Sequence, residues 1–333
     1  MNTSNQLPFF VPDFASFHDT AIAELAYAKK PYAKMQLLNQ RTELVCERDF
    51  LTGYSSPKIK IADANLYTFP YMHRHCVSMI YALPFYKEII RKMIDTGSYI
   101  YMCGMDDFYF PGKSWFHEKH RLHDGIICGY DDGDNTFSLA TYDKDWLFRH
   151  IRIPQESFVD SVKSAVEMGG TARLIAVVIK DKEITIDVPE ILTRIKKYLA
   201  SDLQEYPVDG SGTVKGMAVY DYLDIYFDKL LDESILHEMM DWRILRIIWE
   251  YRKGMLKRLR AVEENIQIDF SISTAYGDLV QETDRLRMLY ALYHRKKKDT
   301  LLLSVKNGLL DLKAKEKDLL EQFTQKIEET ITL

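Results

Sequence analysis

Between His117 and Asp143 the chain reads HEKHRLHDGIICGYDDGDNTFSLATYD, with an imidazole near one end and a carboxylate at the other. The apolar run Ile126–Tyr130 predicts a strand, the Asp- and Gly-rich stretch after it a turn, and Thr136–Tyr142 a second strand, so the pattern is that of a β-hairpin. A hairpin folds the chain back on itself, which returns Asp143 towards His123, where a carboxylate can orient an imidazole as a general base. Asp106 and Asp107 are the alternative orienters, because the strand before the hairpin also ends nearby. Such a pair still needs a nucleophile. Cys76 is the first candidate, flanked by His73 and His75 and followed by a helical pattern. Cys46 is the second, although ELVCERD reads as mid-element sequence without the activation that a helix N-terminus gives a thiol. Cys103 and Cys128 fall on apolar strands, where cysteine acts as a small core residue.

His117, His120 and His123 recur at every third position and raise the question of zinc. At that spacing they converge only on a helix, whereas Pro111, Gly112 and the following strand predict a loop, with no further ligand at a fixed offset. No Walker A loop, GxGxxG or GxSxG element is present, so nucleotide binding and serine hydrolysis find no support. No cofactor is expected.

The order of histidine, hairpin and acid, together with the preceding strand GSYIYMCGMDDFYFP, resembles papain-like cysteine enzymes of the C39 group, and in particular the family of the butirosin biosynthesis protein H N-terminal domain, over residues 8–180. The resemblance implies a papain-like fold. It also implies an enzyme that passes an acyl group from a carrier-protein thioester to an amine through a cysteine, with Cys76 or Cys46 as nucleophile, His123 as base and Asp143 as its orienter. The implied partner is an acyl carrier protein or peptide synthetase. In papain-like enzymes the nucleophile opens the first buried helix, but here that turn reads Phe17-His18-Asp19-Thr20 and holds no cysteine. The usual oxyanion-hole glutamine has no counterpart either, since Gln6 lies too far upstream. A non-catalytic scaffold on the same fold, and a cysteine peptidase, are the competing expectations.

The elements that would position these residues follow from periodicity. Helices are expected within residues 12–29, with Ser16 as a possible cap, at Phe85–Thr96 closed by Gly97, and at Gln155–Met168 closed by Gly169-Gly170. Strands are expected at Tyr99–Cys103 and Ile59–Ile61, over Asp145–Ile153 and Ala172–Ile179, and at Ile184–Ile186, while the apolar segment around Leu44–Cys46 reads as a strand or a short helix. From Pro189 the spacing is helical throughout: 189–200, 214–231 after a loop at Pro207–Gly212, 234–268, and 276–333 with a break near Asn307-Gly308. The apolar positions Leu302, Val305, Leu309, Leu312, Leu319 and Phe323 describe one face of a bundle. The expected fold is therefore α+β: a papain-like domain over residues 1–187 followed by an all-α domain over 188–333.

With 333 residues, two domains are the prior. Hydrophobic residues make up 47 % and charged residues 28 %, enough for a full core, with no apolar run of membrane-spanning length. A net charge of −5 argues against a general nucleic-acid binder. Four scattered cysteines and the non-basic start MNTSNQLPFF point to a reducing cytoplasm. The basic, aromatic stretch Arg285–Lys298 is a face on which an acidic partner such as a carrier protein could dock.

Overall fold

The computed structural model describes residues 3–27, 34–40, 43–53, 55–61, 72–180, 184–205, 212–269 and 271–332. In chain order the elements are β1 (Ser4–Gln6), α1 (His18–Tyr27), α2 (Lys34–Gln40), β2 (Leu44–Glu47), β3 (Ile59–Ile61), β4 (Met72–Ser78), α3 (Met79–Ala82) and α4 (Tyr86–Asp95). There follow β5 (Tyr99–Asp106), β6 (Leu122–Asp131), β7 (Thr136–Tyr142), β8 (Phe148–Pro154), α5 (Gln155–Glu167) and β9 (Arg173–Ile179). The last are α6 (Val188–Ala200), β10 (Asp202–Glu205), β11 (Gly212–Lys215), α7 (Val219–Leu231), α8 (Ile244–Ile266), α9 (Ser271–Lys296) and α10 (Asp299–Thr332). The class is α+β. No helix among the described residues is long and apolar enough to cross a membrane.

The chain divides into two compact units, residues 1–34 with 65–183, and residues 35–64 with 184–333. In the first, an antiparallel sheet runs in the order β4-β9-β5-β6-β7-β8, with β1 added to the far end of β6. The β6–β7 hairpin forms as the alternation predicts, with Ile126 opposite Ala140 and Asp131 opposite Thr136. Asp131 closes its turn by accepting the backbone N–H groups of Gly133 and Asp134. Residues 125–130 of β6 are buried without interruption, as expected of a central strand covered on both faces. Helices α1, α4 and α5 supply the cover. Helix α4 ends at Gly97, which takes φ 82° and lets the Ser98 N–H reach back to the Met93 carbonyl.

The second unit is not all-α. Residues 35–64, expected inside the first domain, contribute β2 and β3 to a four-stranded sheet of order β10-β11-β2-β3, and the start of the expected 214–231 helix is strand β11. Short strands with one apolar face gain their stability only from such distant partners, which no local pattern announces. Helices α7 and α8 pack on this sheet, and α9 and α10 pack on the helices. Helix α10 runs unbroken through Asn307-Gly308, because Gly308 serves close packing: a Cβ there would stand 2.7 Å from Leu286 of α9. The chain turns earlier, at Lys297, whose φ is 50°. Residues 234–243 are irregular apart from a single 3-10 turn at His237–Met239, so α8 starts ten residues later than the periodicity suggests. Residues 184–186 form no strand. The Pro70 breaker and the Pro207–Gly212 loop, Gly212 excepted, lie outside the described residues.

The buried stripe of α10 contains Leu302, Val305, Leu309, Leu312, Leu320, Phe323 and Ile327, and, in the middle, Glu316. Arg252 of α8 meets Glu316 through Nε and Nη2 at 3.0 and 2.8 Å, and both side chains are fully buried. The hydroxyls of Tyr220 and Tyr276 donate to the same carboxylate, and Arg252 Nη1 reaches Thr283 Oγ1 at 2.7 Å. Three helices besides α10 thus end in one ion pair, which fixes the register in which the bundle packs.

Candidate functional site

The residues that come together lie at the end of the first unit's sheet where α1 begins. His18 is the first residue of α1, whose opening turn is closed by the Ala21 N–H on the Phe17 carbonyl. His123 is the second residue of β6 and lies opposite Met105 of β5. Their rings meet edge to face, with centroids 5.2 Å apart. The turn that opens the first helix therefore faces the hairpin histidine, and it presents an imidazole rather than a thiol.

Two further residues complete the cluster. Lys113 lies on the loop that follows β5, which is pinned by the Lys144 N–H on the Gly112 carbonyl at 2.7 Å and by the Asp107 N–H on the Arg121 carbonyl at 3.0 Å. Its side chain is buried, and its Nζ lies 2.7 Å from Thr141 Oγ1, 3.2 Å from His123 Nδ1 and 3.2 Å from Asp107 Oδ2. An ammonium only donates, so Thr141 accepts from Lys113 and its own hydroxyl proton is free for His18 Nε2, 3.0 Å away. That bond fixes His18 as the neutral tautomer with its proton on Nδ1. Burial, then the charges of His123 and Lys113, hold the His18 pKa well below the ordinary 6.5. Burial also lowers Lys113, against the opposing pull of Asp107.

The carboxylate at His123 is Asp107, with Oδ2 3.2 Å from Nδ1, which is one of the two alternatives the sequence left open. Asp143 has a different role. It lines the same cleft, but Oδ1 accepts the N–H groups of Asp145 and Leu147 at 2.9 and 3.0 Å, and Oδ2 pairs with Arg149 at 3.2 Å. It builds the turn after β7 instead of orienting His123. The other alternative, Asp106, holds His120 Nδ1 at 2.6 Å and accepts from Ser164 Oγ at 2.6 Å. Burial alone would raise Asp106, but those bonds and the N–H groups of Phe108 and Arg121 keep it below the usual carboxylate range.

Cys76 is exposed on β4 and does not join this cluster. Its register row runs Cys76, Ile175, Tyr101, Ile126, which places it three strands from β6, or about 14 Å at ordinary strand spacing. A triad of Cys76, His123 and Asp143 is therefore not assembled. Cys46 is buried in β2 of the second unit, where burial pushes its thiol up to about 12. Cys128 is buried in β6 and pushed up to about 11, and Cys103 on β5 is raised as well, again by burial. His117, His120 and His123 do not converge: His117 stacks on Phe116 and Phe108, His120 on Phe108, and His123 faces His18.

Around His123 a shallow cleft is walled by Trp115, Arg121, Tyr142, Asp143 and Trp146, with Lys113 and Asp107 beside them, and has room for about one water. Sequence reasoning missed Lys113, Thr141 and the tryptophans. Thr141 had a usable signal, since it sits two residues before Asp143 on a strand whose alternate residues share a face. Lys113 had none, because a lysine after Pro-Gly in a loop is ordinarily a solvated one.

The fold and site define an α+β protein whose antiparallel sheet holds a His-Lys-Asp-His cluster at a helix N-terminus, with His18, Lys113 and Asp107 buried and His123 partly exposed. Compared with known proteins, the chain matches no family model and no curated sequence.

Proposed function

We propose that this chain is a thiol-less counterpart of the papain-like acyltransferases of natural-product biosynthesis, one that binds an acyl-type ligand at the old catalytic cleft without forming an acyl-enzyme. The observation that carries the reading is His18 at the start of α1, set edge to face against His123 where a papain-like enzyme would carry its cysteine. A neutral histidine in a bond with Thr141 has no free nitrogen lone pair on the His123 side, and the ammonium of Lys113 is held by Asp107, Thr141 and His123. Thiol chemistry needs a populated thiolate, and every buried cysteine is shifted in the wrong direction. A carrier protein remains the partner that fits this reading. Arg295 and Lys296 at the end of α9, with Lys297 and Lys298 just beyond it, are exposed and have no ion-pair partner among the described residues.

Residue-resolved iodoacetamide labelling near neutral pH, followed by incubation with acyl-N-acetylcysteamine thioesters, tests it. Cys76 should label as an ordinary exposed thiol, at a rate indifferent to His123→Ala, and no cysteine should gain an acyl group. Rapid labelling of any cysteine that is lost in His123→Ala, or a thioester-derived acyl mass on a cysteine, overturns the proposal. A gain-of-thiol variant sharpens the test: His18→Cys should label faster than Cys76, because a thiol there has both a helix N-terminus and an imidazole beside it.

A further inference from the structure

We propose that the cleft in the second unit between the last turns of α6 and the β10–β11 pair binds a short peptide by its two charged ends, with the ammonium on Asp202 and the carboxylate on Lys197. The proposal goes beyond the function proposed above and does not rest on it.

The cleft encloses about 460 Å³, within the roughly 300–1,000 Å³ usual for small-ligand sites, so it has room for a ligand of a few residues. Its charges are shared out unevenly. Arg194 Nε meets Glu190 at 2.7 Å and Lys215 Nζ meets Glu43 at 2.9 Å, which leaves two lining charges, Lys197 and Asp202, both exposed and without an ion-pair partner among the described residues. Each is left over for a structural reason. Lys215 stands directly opposite Asp202 across the β10–β11 ladder, where two side chains share a face about 5 Å apart, yet Lys215 goes to Glu43 instead. Lys197 has no acid one helical turn away, since Thr193 and Arg194 precede it and Ala200 and Ser201 follow it. Asp202 also begins just past the end of α6, so the negative end of a 13-residue helix adds to its pull on a cation. One free carboxylate and one free ammonium in a cleft that is otherwise neutral match a zwitterion. The two ion pairs in the same walls offer acceptors and donors to the N–H and C=O groups of a peptide backbone.

The walls are fixed before a ligand arrives. Ser201, between α6 and β10, takes φ 63° and ψ 162°, a region that glycine alone enters freely and that is held only where the surroundings enforce it. Here its N–H bonds to the Lys197 carbonyl and its Oγ accepts the Ala218 N–H at 2.9 Å, so the turn that places Asp202 is tied at both ends. Gly216 closes the other side: its φ is 72°, and a Cβ there would overlap the Tyr198 carbonyl. The Tyr198 ring is buried and its hydroxyl donates to Tyr220, which donates in turn to Glu316, so the cleft wall is anchored in the ion pair at the centre of the bundle. A preorganised wall with two uncommitted charges spends little on ordering when it binds.

Ligand-observed saturation-transfer NMR on the full chain tests the proposal with three probes: trialanine, N-acetyl-trialanine, which keeps only the carboxylate, and trialanine amide, which keeps only the ammonium. Trialanine should bind saturably and at least about tenfold more tightly than either blocked form, the loss expected for one charged hydrogen bond. Lys197→Met should leave trialanine no better than its amide, and Asp202→Asn should leave it no better than its acetyl form; both positions are exposed and unpaired, so neither change removes a contact of the fold. No saturable binding of trialanine, equal affinity for the three probes, or preferences that survive in both variants overturns the proposal. The three-probe comparison on the unaltered chain decides the matter whether or not a variant folds. Cysteine labelling reads the first unit alone, so either proposal can fail without the other.

Discussion

Acidification should destabilise the first unit through His18, and the size of the effect follows from its surroundings. The ring is 6 % exposed, its Nε2 accepts the Thr141 hydroxyl proton, and burial together with His123 and Lys113 keeps it neutral well below the ordinary 6.5. In the unfolded chain it regains the ordinary value and takes up a proton first as pH falls. The stability owed to the neutral ring is therefore complete above 6.5 and is lost beneath it. While the folded ring stays neutral and the unfolded one is protonated, stability falls by about 1.4 kcal/mol per pH unit, which is a sizeable slope against the 5–15 kcal/mol that holds a typical domain. Urea unfolding between about pH 8 and 5 measures it. In a Trp242→Phe, Trp249→Phe background the emission reports only Trp115 and Trp146, hence the first unit. The comparison is His18→Gln, which cannot titrate and whose amide oxygen can still accept from Thr141. Asp19, raised by burial, contributes with the opposite sign, but it and the remaining histidines are common to both proteins, so the difference isolates His18. The variant should lose the acid-side slope. An identical slope in both proteins would refute a buried neutral His18.

Arg252→Met alone should cost about 3–5 kcal/mol by leaving the Glu316 charge buried, while Arg252→Met with Glu316→Leu should return to within about 2 kcal/mol of the parent; denaturant unfolding reads both, and a double variant as unstable as the single one contradicts the argument. Gly308→Ala should destabilise by about 1 kcal/mol because its methyl meets Leu286, and in a Leu286→Ala background the same change should become stabilising through helix propensity, as thermal melts will show. Trp146→Gly should leave stability within about 1 kcal/mol of the parent, since release from the left-handed region offsets the lost ring contacts; a loss above about 2 kcal/mol would mean that the indole is held for packing alone.

What was legible locally was the hairpin and its turn. Alternation over Ile126–Tyr142 and an Asp- and Gly-rich turn specify β6–β7 by themselves, and the helical period announces α4, α5, α6 and most of the bundle, because each of these patterns repeats within a few residues. The second unit's sheet was legible only in part: the apolar stretch at Leu44–Cys46 and the alternation at Ile59–Ile61 mark β2 and β3, but β10 and β11 carry no such pattern, and β2 pairs with β11 across more than a hundred intervening residues. Glu316 was likewise hidden: a charge in an apolar stripe reads as a break in the pattern until Arg252 arrives from another helix.

The site divides in the same way. The sequence by itself determined that His123 begins a hairpin and that the first helix opens on His18 without a cysteine, because both are local facts of residue type and period. Only the tertiary structure decided that His18 and His123 meet, that the carboxylate beside His123 is Asp107, and that Lys113 enters from a loop to bind three partners at once. The reason is physical: partner choice for a buried charge is settled by which groups the packed chain brings within about 3 Å, and a carboxylate such as Asp143 goes to the nearest backbone N–H groups before it goes to a histidine across the hairpin.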